Sequence, residues 1–89
     1  MKIKLELFGA SRDFSNKGYL ELKIKDKSSI NDLRNEIIKY IDQNLSGNRN
    51  FIQVVKSSAF CSENNEIISD NYKITKDQKI GIIPPIGGG

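Results

Sequence analysis

The chain has 89 residues and a net charge of +3, from 14 Lys and Arg against 11 Asp and Glu. That is one domain's worth of chain, without the concentrated basic charge that would by itself imply a nucleic-acid partner. With no His and a single Cys, Cys61, a zinc site built from Cys and His, an internal disulfide and an imidazole general base are all excluded. No apolar run approaches the roughly 18 residues of a membrane span. Met1 to Phe8 alternates in polarity and has no continuous apolar core of the signal-peptide kind. A cytoplasmic setting is expected, with neither a membrane nor a nucleic acid as partner.

Residues 2–8, KIKLELF, place Ile3, Leu5 and Leu7 on one face and Lys2, Lys4 and Glu6 on the other. This period of two predicts a half-buried strand, and parity puts Phe8 on its polar face. Residues 9–18, bounded by Gly9 and Gly18, read as a loop. Residues 19–25, YLELKIK, alternate again with Leu20, Leu22 and Ile24 inward, so the two runs fit an antiparallel hairpin. The period then lengthens. Ser29 followed by Asp32 resembles a capping box, and Ile30, Leu33, Ile37, Tyr40 and Ile41 form one apolar helical stripe that Gly47 should stop.

Residues 46–50 read as a loop. The β-branched run FIQVVK, residues 51–56, predicts a third strand. Phe60 and Cys61 fit a short strand, Ile67 and Ile68 anchor another short piece, and residues 79–83, KIGII, give a last strand with Gly81 thinning its middle. Two strands, a helix and further strands make an α+β domain with the helix packed on one face of a mixed sheet. A β-grasp (ubiquitin-like) arrangement over residues 1–83 fits this order best; another two-layer sandwich is the alternative.

The chain ends Pro84-Pro85-Ile86-Gly87-Gly88-Gly89. The prolines lack donors and hold Ile83 extended, so the strand must leave the sheet there. Residues 84–89 then form an expected extended, flexible tail reaching about 20 Å at ~3.3 Å per residue. Such an end is either a frayed terminus or one whose carboxyl group does chemistry. A glycine carboxylate is unhindered and fits a narrow channel, but it reacts only after activation, for example as an acyl-adenylate. Sulfide transfer would then give a thiocarboxylate.

The ending IGIIPPIGGG, residues 80–89, resembles that of the MoaD/ThiS β-grasp sulfur carriers, the family of the small subunit of molybdopterin synthase: an apolar strand, Pro-Pro, an apolar residue, a small residue and Gly-Gly. LFGASRDF, residues 7–14, is similar to the family's first strand and following loop, and the turn at residues 75–78 to the one before its last strand. The resemblance implies that Gly89 is adenylated by a ubiquitin-activating-type enzyme using ATP and magnesium, with no cofactor bound by this chain. A sulfur donor protein then makes the thiocarboxylate. The tail enters the large subunit of molybdopterin synthase, in a heterotetramer, and supplies sulfur for the dithiolene of molybdopterin. The chain would be the sulfur-carrying subunit of that sulfurtransferase, without catalytic side chains of its own.

By the same resemblance Gly88 and Gly89 match the working end, and Gly87 stands where Ser, Thr or Ala is usual, which makes the tail costlier to order on binding. Pro84 and Pro85 match the exit pair. Phe8 matches an interface aromatic, against the plain reading of a core residue at a strand end. Arg12 matches a docking Arg. Ile83 stands at a usually aromatic interface position, and Phe60 is the expected central apolar contact. Cys61 reads as a half-buried small hydrophobe, and Lys23, Lys25 and Lys27, interleaved with Asp26, as a solvated strand face. Three alternatives stay open. One is a carrier for thiamin or tRNA thiolation. A second is a ubiquitin-like modifier. The third is a non-catalytic β-grasp binding module, which would keep its function without Gly88 and Gly89.

Overall fold

The computed structural model describes residues 1–85; residues 86–89, and with them the expectations placed on Gly87, Gly88 and Gly89, lie outside the described residues. Strand β1 spans Lys2–Leu7 and β2 spans Tyr19–Lys23. They pair antiparallel, Leu5 opposite Leu20 and Ile3 opposite Leu22, as the alternation requires. Helix α1 covers Ile30–Asn44. Its capping box is complete: Ser29 Oγ accepts from the Asp32 N–H at 3.1 Å, and the Asp32 carboxylate accepts from the Ser29 N–H at 2.9 Å. Gly47, at φ +61, follows the helix end, where its N–H donates to the Ile41 carbonyl.

The segment read as a third strand is instead a second helix, α2, Arg49–Ser57. Asn48 caps it by accepting from the Phe51 N–H at 3.1 Å. Phe51, Val54 and Val55 also satisfy helical spacing, and tertiary contacts choose that period over the strand propensity. Val55 is fully buried. The Phe51 ring lies 5.2 Å from that of Phe14. Arg34, reaching from α1, donates from Nη1 to the carbonyls of Val55 at 2.6 Å and Ser58 at 2.8 Å, which supplies partners at the end where helix carbonyls lack them. The Val55 carbonyl also accepts from the Ser58 N–H at 3.3 Å, and Arg34 Nη2 meets Asp70 Oδ1 at 2.7 Å. The expected loop after β1 likewise contains a 3-10 helix, Gly9–Phe14.

Three strands complete the sheet: β3 at Ala59–Cys61, β4 at Ile67–Ile68 and β5 at Gln78–Ile83. The order is β2-β1-β5-β3-β4. β5 lies parallel to β1 and antiparallel to β3, and β4 is antiparallel to β3. A first hairpin, a helix across one face and a last strand inserted parallel beside the first make this a β-grasp fold. Ile3, Leu5, Leu7, Phe60, Ile80 and Ile82 on the sheet meet Ile30, Leu33, Ile37 and Ile41 of α1 in one buried core. Each such side chain contributes about 1.5–3 kcal/mol by leaving water.

Candidate functional site

Because β1 and β5 are parallel neighbours, their C-terminal ends emerge at the same end of the sheet. Phe8 and the 3-10 helix follow β1 there; Pro84 and Pro85 follow β5. Pro84 is buried and Pro85 exposed. Gly9, at φ +54, turns the chain past this exit; a Cβ on it would sit 3.8 Å from Pro84 Cγ and Cδ. The Phe8 carbonyl accepts from both the N–H and the Oγ of Ser11, at 3.1 and 2.7 Å, so the backbone beside the exit is tied down. Ala10, Asn50, Gln53, Val54, Ser57, Pro84 and Pro85 line a cleft of about 250 Å³ next to it. None of these lining side chains is ionisable.

The sheet face turned away from the helices carries an apolar platform. Parity and register put Phe8, Gly81, Ile83, Ala59, Cys61 and Ile67 on it. Phe8 is 44% exposed and Ile67 66% exposed; Ile83 is half-buried and Ala59 exposed. Charges bound the platform on the β1 side. Lys79 Nζ meets Glu6 Oε1 at 2.9 Å, and the Glu6 hydrogen bond and charge raise the Lys79 pKa above its ordinary value. Lys4 Nζ stands 4.5 Å from the Tyr19 ring centroid.

The structure brings together most of the described residues singled out in the sequence. Phe8 and Ile83 share the platform, and Pro84 and Pro85 form the exit beside it. Arg12 lies exposed in the last turn of the 3-10 helix. Phe60 is corrected. It pairs with Ile82 on the helix side of the sheet, is fully buried, and its ring lies 4.9 Å from the Arg34 guanidinium. It is therefore a core residue, and its neighbours Ala59 and Cys61 face the platform instead. Ile67 and the close approach of Phe8 to Gly81 carry no local sequence signal, since both depend on strand register. Among the described residues no group of three metal-binding side chains converges, and no helix is long and apolar enough to cross a membrane.

No family model and no curated protein matches the sequence. Solved structures match the fold along essentially its whole length. A candidate molybdopterin converting factor, subunit 1, from Pyrococcus furiosus superposes with a TM-score of 0.71 at 16% identity, covering 97% of this chain and 99% of that one. SAMP1 from Haloferax volcanii gives 0.68 at 11% identity, with both chains fully covered. A ubiquitin from Caldiarchaeum subterraneum gives 0.62 at 14% identity, covering 100% of this chain and 98% of that one. The β-grasp fold is thus shared with these three structures.

Proposed function

We propose that this chain is a sulfur carrier whose working group is the carboxyl of Gly89. The observation that carries the reading is the parallel β1–β5 pair. It delivers an apolar platform and the Pro84–Pro85 exit to one end of the sheet. The four residues beyond Pro85 reach at most about 14 Å when extended. A partner seated on Phe8 and Ile83 would thus lie within reach of the glycine end. The likeness to a molybdopterin converting factor subunit supports the same reading.

The chemistry runs in two displacements. The Gly89 carboxylate attacks the α-phosphorus of ATP, with magnesium, on a ubiquitin-activating-type enzyme and releases pyrophosphate. A hydrosulfide equivalent from a sulfur donor protein then displaces AMP and leaves the thiocarboxylate. The first step needs a free carboxyl at Gly89, and the second acts on the acyl-adenylate it forms. Neither needs a titratable side chain from this domain. The acceptor in this proposal is a pyranopterin held by the large subunit of molybdopterin synthase, in a heterotetramer, and the product is the dithiolene of molybdopterin. The setting proposed is the cytoplasm. Likeness to a ubiquitin supports a second reading, in which the same activated glycyl group passes to an amine instead of taking sulfur.

The test is the intact mass of the protein from its own cells, with the C-terminal peptide sequenced. One oxygen replaced by sulfur at Gly89 is the expected result. A Gly89 that stays unmodified with ATP, an adenylating partner and a sulfur donor would overturn the carrier reading. An amide bond from Gly89 to a lysine would favour the second.

A further inference from the structure

Gly81 sits inside β5, where a glycine ordinarily weakens a strand because it packs no side chain. Here the missing side chain has an occupant. A Cβ placed on Gly81 would lie 2.8 Å from Phe8 Cε2 and 2.8 Å from Cys61 Sγ, with Phe8 Cδ2 at 3.5 Å. The first two are far inside van der Waals contact. The Phe8 ring therefore fills the volume that any side chain at position 81 would take. Register explains how it gets there. Gly81 is opposite Glu6, and Phe8 is the next residue of β1's line on that face, so its ring folds back over the glycine. Cys61 is opposite Gly81 on the other side and is only 6% exposed.

We propose that Gly81 is the positioning residue of the partner face: by carrying no side chain it seats the Phe8 ring against β5 beside the Cys61 thiol and presents it at a fixed height to a partner's apolar surface. The partner half of this statement rests on the carrier reading; the seating is a property of the chain alone. An aromatic already ordered in the free protein loses less entropy on binding than one that must be immobilised. A side chain at 81 displaces the ring first. Phe8 can swing into solvent, whereas Cys61 is held in a strand paired on both sides.

The experiment uses the full chain with Gly81→Ala, Phe8→Ala and the double variant. Two readouts follow the ring: NMR contacts from Phe8 ring protons to residue 81, and the rate at which DTNB modifies Cys61 under native conditions. In the unaltered protein the ring lies against Gly81, and the 6% exposed thiol is expected to react slowly. Gly81→Ala is expected to abolish the ring contact and speed the thiol reaction about tenfold, as a covered group becomes accessible. Phe8→Ala alone is expected to speed it as well, and adding Gly81→Ala to Phe8→Ala to speed it by less than in the unaltered background. The clash with Cys61 is common to both backgrounds and cancels in that comparison. A folded Gly81→Ala protein with unchanged ring shifts and thiol rate would overturn the proposal, as would an equal acceleration in the Phe8→Ala background. If Gly81→Ala fails to fold, Phe8→Ala decides alone: a faster thiol reaction there supports the seat, and an unchanged one refutes it. None of these readouts involves Gly89, so they stand or fall separately from the carrier chemistry.

Discussion

Replacing Arg34 by Met keeps an aliphatic stem of similar length and removes the guanidinium. The side chain is only 11% exposed, and its Nη1 serves the carbonyls of Val55 and Ser58 at the junction of α2 and β3. Hydrogen bonds from a charged donor contribute about 1.5–3 kcal/mol each. The Asp70 carboxylate is 57% exposed, so that ion pair adds about 0–1 kcal/mol. Two bonds sharing one nitrogen do not add fully, and the shorter side chain regains some rotamer entropy, so the expected loss is about 3 kcal/mol. Against a total of about 5–15 kcal/mol that is a large fraction. Urea unfolding followed by circular dichroism is the assay. With a slope of about 1 kcal/mol/M, the midpoint should fall by about 3 M at constant slope. Asp70→Asn should cost about 1 kcal/mol or less, and Arg34→Lys, a single ammonium in place of a fork, should fall between the two. An Arg34→Met protein within about 1 kcal/mol of the unaltered one would refute the reasoning. Equal losses for Arg34→Met and Asp70→Asn would move the credit from the helix carbonyls to the ion pair.

Three further outcomes are expected. Removing Gly87, Gly88 and Gly89, which ends the chain at Ile86, should leave the unfolding midpoint unchanged and abolish thiocarboxylate formation; sulfur transfer by the truncated chain, read by mass spectrometry, would sink the carrier reading. Phe8→Asp should leave a folded monomer, since the side chain it replaces is half in solvent, and weaken the complex with an adenylating enzyme or large subunit by tenfold or more, about 1.4 kcal/mol, in calorimetry. The capping box sets an acid-side dependence. Hydrogen bonds from the Ser29 backbone and side chain hold the Asp32 carboxyl below its ordinary 3.8, so its contribution is complete at neutral pH and fades as pH falls below that value and through the lower folded one. Asp32→Asn should flatten this part of a midpoint-versus-pH curve, and Ser29→Ala should cost about 1 kcal/mol at pH 7.

Local rules acting over about four residues were enough for much of this chain. Alternation in residues 2–8 and 19–25 set the first hairpin, whose strands span Lys2–Leu7 and Tyr19–Lys23, because side chains on a strand repeat every two residues and one face must be dry. Ser29 and Asp32 marked the start of α1 because the capping bonds join neighbours in sequence. Pro84 and Pro85 ended the last strand through their own fixed geometry. Where the local signals conflicted, contacts between distant residues decided. FIQVVK has the composition of a strand, yet Arg34, Phe14 and the Asn48 cap hold it as α2. Phe60 and Cys61 belong to one short strand, and only its register against Ile82 and Gly81 sends Phe60 to the core and Cys61 to the platform. Gly81 looked like a weak point in a strand until the parallel pairing laid Phe8 over it. A residue's period is written in its neighbours. The face it occupies, and what fills the space beside it, depend on partners tens of residues away that become neighbours only when the sheet closes.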